Sequence, residues 1–246
     1  MLKTNLSNKK IIIILISVLV VAIIGFIISF FLSRNSFFNE ESEDKSKVIT
    51  DSKQENRDLQ KEISVINETY KDAKAWIKVP GTSIDSPVYQ SDNNDRYLRN
   101  DKDNAQTRWG ENFLDYRCNI DNINKEKQHY IVYGHNTEID SRFTPLLNYK
   151  NEDFFKEHKY VEFATLNGSY KFEVFSAYST STDFYYIDTT FRNLDEFGNY
   201  IKSLKEKSEY ETNVEITRED TILTLSTCDY DIADGRYVVH AKLINE

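Results

Sequence analysis

From residue 76 onward the chain is built of short runs rich in β-branched and aromatic residues, at 76–79, 87–89, 112–114, 129–133, 160–166, 169–178, 221–227 and 236–244. That composition suits a half-buried pleated surface, so each run predicts a strand. Asn167-Gly168 falls between the fifth and sixth runs, and this dipeptide favours a type I′ hairpin turn because both positions tolerate positive φ. Between the sixth and seventh runs, Leu194, Phe197, Ile201 and Leu204 recur at spacings of three, four and three and mark one face of a helical insert. Ahead of the strands, Leu59, Ile63, Ile66, Tyr70 and Ala73 form a second such stripe, which predicts a helix over about 54–74. Eight short strands with few long helices point to a mainly β fold, a closed eight-stranded barrel, because closure removes exposed strand edges. Hydrophobic residues make up 39% and aromatics 13% of the chain, enough for a core without disulfide or metal staples.

The first thirty-odd residues follow a different logic. Positions 11–32 carry no charge, and a helix of that length would be about 33 Å long at about 1.5 Å per residue, sufficient to cross a bilayer. Lys3, Lys9 and Lys10 precede the run and only Arg34 follows closely, so the positive-inside bias places residues 1–10 in the cytoplasm and the domain outside. A cleaved signal peptide is the alternative, disfavoured by the length of the run and the lack of a small-x-small site after it. Residues 33–53 are polar and charged and read as a stalk, which leaves 54–246 as an extracytoplasmic domain.

Charge excludes one class of partner. The chain holds 31 basic and 40 acidic residues; taking Lys3, Lys9, Lys10 and Arg34 from the basic set leaves 27 against 40, a net −13 beyond residue 34. Such a surface repels polyphosphate, and no clustered basic face is visible, so nucleic acid is not an expected partner. Cysteine usage is sparse: Cys118 and Cys228 only. A single disulfide is one reading; the other treats Cys118 as a free or part-buried thiol and Cys228 as a reactive one.

The densest chemistry lies in Thr224-Leu225-Ser226-Thr227-Cys228, followed after a polar loop by Gly235-Arg236. One strand ends in a thiol and the next begins with a guanidinium. If the loop between them closes a symmetrical hairpin, Cys228 faces Arg236, and a thiol beside a permanent cation is placed where the thiolate is favoured. A nucleophilic cysteine also needs a proton donor for the leaving amine. Of four histidines, His240 would stand opposite Thr224, some 13 Å from the thiol at about 3.3 Å per residue. His129 opens its strand and belongs at the far end of the barrel, and His158 sits in a charged, helix-like and solvated segment. His135 remains, just past the end of an apolar strand and after a glycine, in the kind of loop that presents side chains over a barrel mouth.

Together, Tyr133-Gly134-His135-Asn136, the 224–228 segment and Arg236 resemble the histidine, TLxTC and arginine motifs of sortases. The segment Gly110-Glu111-Asn112-Phe113-Leu114-Asp115-Tyr116-Arg117, the inserted helix and the N-terminal helix resemble class B members in particular. The likeness spans roughly 76–243. It implies a sortase-type barrel in a Gram-positive envelope enzyme that cleaves a C-terminal sorting signal of secreted proteins after threonine. The acyl group then passes to an amine of the peptidoglycan precursor (lipid II). On this likeness Cys228 is the nucleophile, His135 the acid/base and Arg236 the oxyanion partner, with no metal or organic cofactor required. The sorting peptide would lie near Asn94, Leu98, Tyr133, Thr182, Tyr186, Ile187 and Ser226.

Other readings stand beside this one. A pilus-polymerising sortase would use a pilin lysine as acceptor, and a non-catalytic anchored module would merely present loops. Asp101-Lys102-Asp103-Asn104 begins like a calcium loop, but Gln106 and Asn112 occupy the positions that need glycine and glutamate. Asp229, Asp231 and Asp234 could orient His135, though a polar hairpin loop explains them equally well.

Overall fold

A computed structural model describes residues 57–121, 123, 129–181 and 183–244. The expected boundaries near 10, 32 and 53, and the apolar run 11–32, lie outside these residues. Among the described residues no helix is long and apolar enough to cross a membrane.

Helix α1 covers Leu59–Thr69; Asp58 caps it, its side chain accepting the Lys61 N–H at 3.1 Å. Leu59 and Ile63 are buried, with Ile66 and Tyr70 packed partly against the same cluster. The stripe predicted a helix through Ala73, but Ala73 opens strand β1, Ala73–Lys78. That segment pairs with β2 (Asp85–Tyr89) on one side and β5 (Tyr160–Thr165) on the other, and two ladders outweigh helical spacing over one turn.

The remaining elements are helix α2 (Arg96–Arg99), strands β3 (Phe113–Leu114) and β4 (His129–Tyr133), a 3-10 turn at Thr144–Lys150 and helix α3 (Glu152–Glu157). After them come β6 (Gly168–Thr180), helix α4 (Leu194–Glu206), β7 (Ile222–Cys228) and β8 (Arg236–Ile244). The eight strands close a barrel in the order β1-β2-β3-β4-β7-β8-β6-β5. The β5/β6 hairpin forms as predicted, but one residue out: Thr165 pairs with Gly168, so Leu166-Asn167 make the turn and Gly168 begins a strand. Neither Asn167 nor Gly168 has positive φ, and the Asn167 N–H is taken by Thr165 Oγ1 at 3.1 Å.

Alternation along β7 and β8 divides the protein into an inside and an outside. Leu223, Leu225, Tyr237 and Val239 point into the lumen core, while Ile222 and Val238 point outward under α4. Helix α4 covers that outer face with Phe197, Ile201 and Leu204, each contributing about 1.5–3 kcal/mol by burial. Leu194, expected on the same stripe, is exposed at the helix start. Asn193 caps α4 by accepting the Glu196 N–H at 2.9 Å, and Ser176 Oγ donates to the Leu204 carbonyl at 2.7 Å.

Under α4 a polar chain crosses four neighbouring strands. His129 Nδ1 lies 2.6 Å from the Asp188 carbonyl and therefore carries the proton, so its Nε2 accepts from the Thr224 hydroxyl at 2.6 Å. The Thr224 oxygen then accepts from His240 Nδ1–H at 2.6 Å, and His240 Nε2 accepts from the Tyr178 hydroxyl at 2.9 Å. Every member is satisfied with both rings neutral. Burial pushes His129 down to about 4 and His240 well below its ordinary value. Above pH of about 6.5 both states are neutral; below it the unfolded chain takes up protons that the folded one refuses. Urea titrations should show stability falling between about pH 6.5 and pH 4, by about 1.4 kcal/mol per pH unit for each histidine. His240→Gln should make that slope shallower, and a slope equal to that of the wild type would contradict the assignment.

Candidate active site

Strands β4 and β7 run parallel, with Tyr133 opposite Ser226. The ladder continues one step beyond the strand, where the Gly134 N–H donates to the Ser226 carbonyl at 3.1 Å. One further residue in the same register brings His135 abreast of Cys228. A Cβ on Gly134 would lie 2.4 Å from Asn112 Oδ1 and 2.5 Å from the Phe143 ring, so no side chain fits at that step. Asn136 then fastens the histidine loop to the thiol strand, its Nδ2 donating to the Cys228 carbonyl at 3.2 Å. Its Oδ1 accepts from the Glu138 N–H at 3.1 Å, and its own carbonyl accepts from the Tyr230 hydroxyl at 2.9 Å.

The guanidinium arrives by a local route. β7 and β8 form the symmetrical antiparallel pair that the sequence suggested, with Cys228 opposite Arg236 and Thr224 opposite His240. Cys228 shares the outward parity of Ser226, so its sulfur lies on the outer face and not in the lumen. There a cavity of about 350 Å³ is lined by His135, Cys228 and Arg236 together with Leu98, Phe113, Tyr133, Tyr186 and Ile187, among others. Sulfur, imidazole and guanidinium thus border one aromatic-walled cleft.

Each of the three has a distinct environment. His135 is buried, with 8% exposure, and is not displayed on an open loop as its sequence position suggests. Its Nε2–H donates to the Leu98 carbonyl at 2.8 Å, which leaves Nδ1 as the bare nitrogen of the neutral ring. The Trp109 ring stands edge-on to it at 5.9 Å. Burial lowers the His135 pKa, with Arg99 and Arg142 adding to the effect and the Leu98 bond opposing it. Arg236 donates from Nη1 to the carbonyls of Gly235 at 2.8 Å and Asp234 at 3.3 Å. Among the described residues its hydrogen bonds come from Nη1 alone, so Nε and Nη2 remain available to a bound group. Cys228 is a half-buried free thiol.

The other predicted positions separate into two groups. Leu98, Tyr133, Tyr186, Ile187 and Ser226 line the cavity, with the Tyr186 and Ser226 hydroxyls 2.8 Å apart. Asn94 does not line it: its Nδ2 donates to Asp115 at 3.0 Å and its Oδ1 accepts the Tyr116 N–H at 3.0 Å. Thr182 lies outside the described residues. Asp229 does not orient His135; its carboxylate takes Lys150 at 2.9 Å and Ser179 at 2.7 Å, bonds that outweigh burial and hold its pKa low. Asp231 also binds Lys150, at 2.7 Å. His158 is not solvated: it stacks on Phe154 at 3.7 Å and is half-buried. Cys118 is a buried free thiol near the His129 carbonyl, pushed up to about 12 by burial, so no disulfide joins it to Cys228.

Sequence reasoning passed over Asp115, whose wholly buried carboxylate accepts from Tyr133 OH at 2.9 Å, Asn94 and Arg117. Burial alone would raise its pKa, but these donors, Arg117 foremost, hold it below the usual range. Asp115 and Arg117 stand two apart in a segment already singled out, and that spacing was the available signal.

Comparison with known proteins gives a consistent answer. Residues 77–244 match the sortase family through its sortase domain. Sortase B of Listeria monocytogenes is 36% identical over 193 residues, 78% of this chain and 77% of that one. The X-ray structure of Clostridium perfringens sortase B superposes with a TM-score of 0.69 at 35% identity, covering 76% of this chain and 100% of that chain. A Staphylococcus aureus sortase B–substrate complex superposes with a TM-score of 0.70 at 32% identity, covering 87% and 98%.

The geometry yields a test of the histidine–thiol coupling. Asn136→Ala leaves the part-buried Cys228 carbonyl without its side-chain partner and should cost about 1–3 kcal/mol in chemical denaturation. Gly134→Ala should cost a similar amount, about 1–3 kcal/mol, by overpacking against Phe143. Wild-type stability in both variants would mean that the register step at Gly134 is not constrained as described.

Proposed function

The chain belongs to the sortase family, in its class B, a group of cell-wall sorting cysteine transpeptidases, and from that premise we propose how its own residues carry out the reaction. The observation that carries the reading is the shared cavity: one thiol, one imidazole and one guanidinium bordering a cleft whose walls are otherwise aromatic and aliphatic.

Cys228 gives its thiol proton to Nδ1 of His135, the bare ring nitrogen, and the resulting thiolate attacks the carbonyl carbon of the threonine in a C-terminal sorting signal. The oxyanion that forms is held by Nε and Nη2 of Arg236, a cavity-lining residue whose hydrogen bonds among the described residues come from Nη1 alone. Collapse of this intermediate breaks the C–N bond, and the leaving amine takes a proton from His135. Because Nε2 is held by the Leu98 carbonyl, that proton leaves from Nδ1. The threonyl thioester is then attacked by an amine of the peptidoglycan precursor. This amine gives its proton back to Nδ1 as the S–C bond breaks and the thiolate is restored. The apolar walls supplied by Leu98, Phe113, Tyr186 and Ile187 hold the peptide and exclude water from the thioester.

The uncharged run 11–32 and the basic residues ahead of it support a single-pass anchor that keeps this domain on the outer face of the membrane. The surplus of acidic residues in the rest of the chain is consistent with a protein, not a nucleic-acid, substrate.

The decisive experiment is turnover of a fluorogenic peptide library containing threonine, with a primary amine as acceptor. Wild type should release product and form the amide, and Cys228→Ala should do neither. His135→Ala should abolish turnover, and Arg236→Lys should lower kcat by about 10²–10³ if the guanidinium stabilises the oxyanion. Equal slow release by wild type and Cys228→Ala would sink the proposal and favour a binding module. Mass spectrometry of the amide product distinguishes a peptidoglycan amine from a pilin lysine as the natural acceptor.

A further inference from the structure

Among its described residues the segment between β6 and α4 has no regular secondary structure, yet it supplies Phe184, Tyr185, Tyr186 and Ile187 to the cavity. A wall without a ladder must satisfy its backbone by other means. Here two consecutive carbonyls are taken by side chains from two different elements. Arg117 Nη2 donates to the Ile187 carbonyl at 3.0 Å, and His129 Nδ1–H donates to the Asp188 carbonyl at 2.6 Å.

Both donors are themselves fixed. Arg117 is forked onto Asp115, with Nε and Nη2 each at 2.8 Å from its carboxylate and the Arg117 N–H at 3.0 Å. His129 is held from behind by Thr224 at 2.6 Å. Asp115 also holds Tyr133, so one buried carboxylate governs wall residues on both the strand side and the segment side of the cleft. Hydrogen bonds to two adjacent peptide groups set both the position and the rotation of the backbone that presents Tyr186 and Ile187.

We infer that Arg117 and His129 form a two-point latch on the 187–188 backbone and are positioning residues for recognition of the sorting peptide, although neither lines the cavity. This role rests on the transpeptidase reading. The latch itself does not, and the test keeps the two apart. Arginine is needed at 117 because its planar fork serves the carboxylate and the carbonyl together, whereas a lysine ammonium is a point charge that keeps the ion pair and loses the reach.

In Arg117→Lys, amide hydrogen exchange across 183–191 should accelerate by about tenfold, the equivalent of one lost charge-assisted bond, with β4, β7 and β8 unchanged. KM for the best threonine-containing peptide should rise by about tenfold while kcat stays within about threefold, since transition-state groups are untouched. Alkylation of Cys228 by iodoacetamide should proceed at the wild-type rate. Arg117→Gln, at a half-exposed site, provides a second variant and should behave alike or more severely. Unchanged exchange in both variants overturns the latch. Faster exchange with unchanged KM, or a fall in kcat as large as the rise in KM, overturns its role in recognition. If wild type turns over no peptide, the transpeptidase reading fails, and the exchange measurement still decides the latch.

Discussion

The parallel pairing of β4 with β7 is the constraint on which the site depends. It sets Tyr133 against Ser226, and through the Gly134 N–H it delivers His135 beside Cys228. A parallel pair cannot be closed by a tight turn and needs a long crossover. In this chain the crossover contains β5, β6 and α4, so imidazole and thiol meet through a long-range pairing. The guanidinium is different in kind: Arg236 reaches Cys228 through a local hairpin whose register follows from its loop. One of these two pairings is therefore long-range and the other short-range, and Asn136 is the side chain that ties the long-range one down.

The two faces of the barrel wall carry separate tasks. Lumen residues such as Leu223, Leu225, Tyr237 and Val239 supply apolar packing that holds the register. The outer face of the same strands carries Thr224, Ser226 and Cys228, and its polar groups are satisfied in series up to the rim where the thiol sits. A register slip of one residue would exchange these faces and send the thiol into the core. Burial then shapes the chemistry at the rim, since it favours a neutral His135 while the Leu98 carbonyl selects which nitrogen is bare.

Several local readings of the sequence gave way to tertiary context. Ala73 continues a helical stripe but is claimed by ladders on both sides of β1. Asn167-Gly168 marks the hairpin, yet the turn moves one residue back because Gly168 pairs with Thr165. His158 looks solvated from its charged neighbours but finds the Phe154 ring. His135 follows a glycine at a strand end, which suggests display, whereas Leu98 and Trp109 enclose it. For Ala73 and His135 the deciding partners lie far along the chain, whereas for Gly168 and His158 they lie three and four residues back, at Thr165 and Phe154.

What the amino-acid sequence determined by itself was the set of chemical types and their local order: a strand ending in a thiol, a hairpin returning an arginine, a histidine beyond an apolar run, and the alternation that makes a barrel. Those features follow from residue identity and spacing over a few positions. What only the tertiary structure decided was which carboxylate does what. Asp229, next to the thiol, turns away to Lys150, while Asp115, remote from it in sequence, anchors Tyr133 and Arg117. The physical reason is that a buried charge goes where donors converge in space. Convergence among residues as far apart as 94, 115, 117 and 133 is set by the closure of the sheet, which no local pattern encodes.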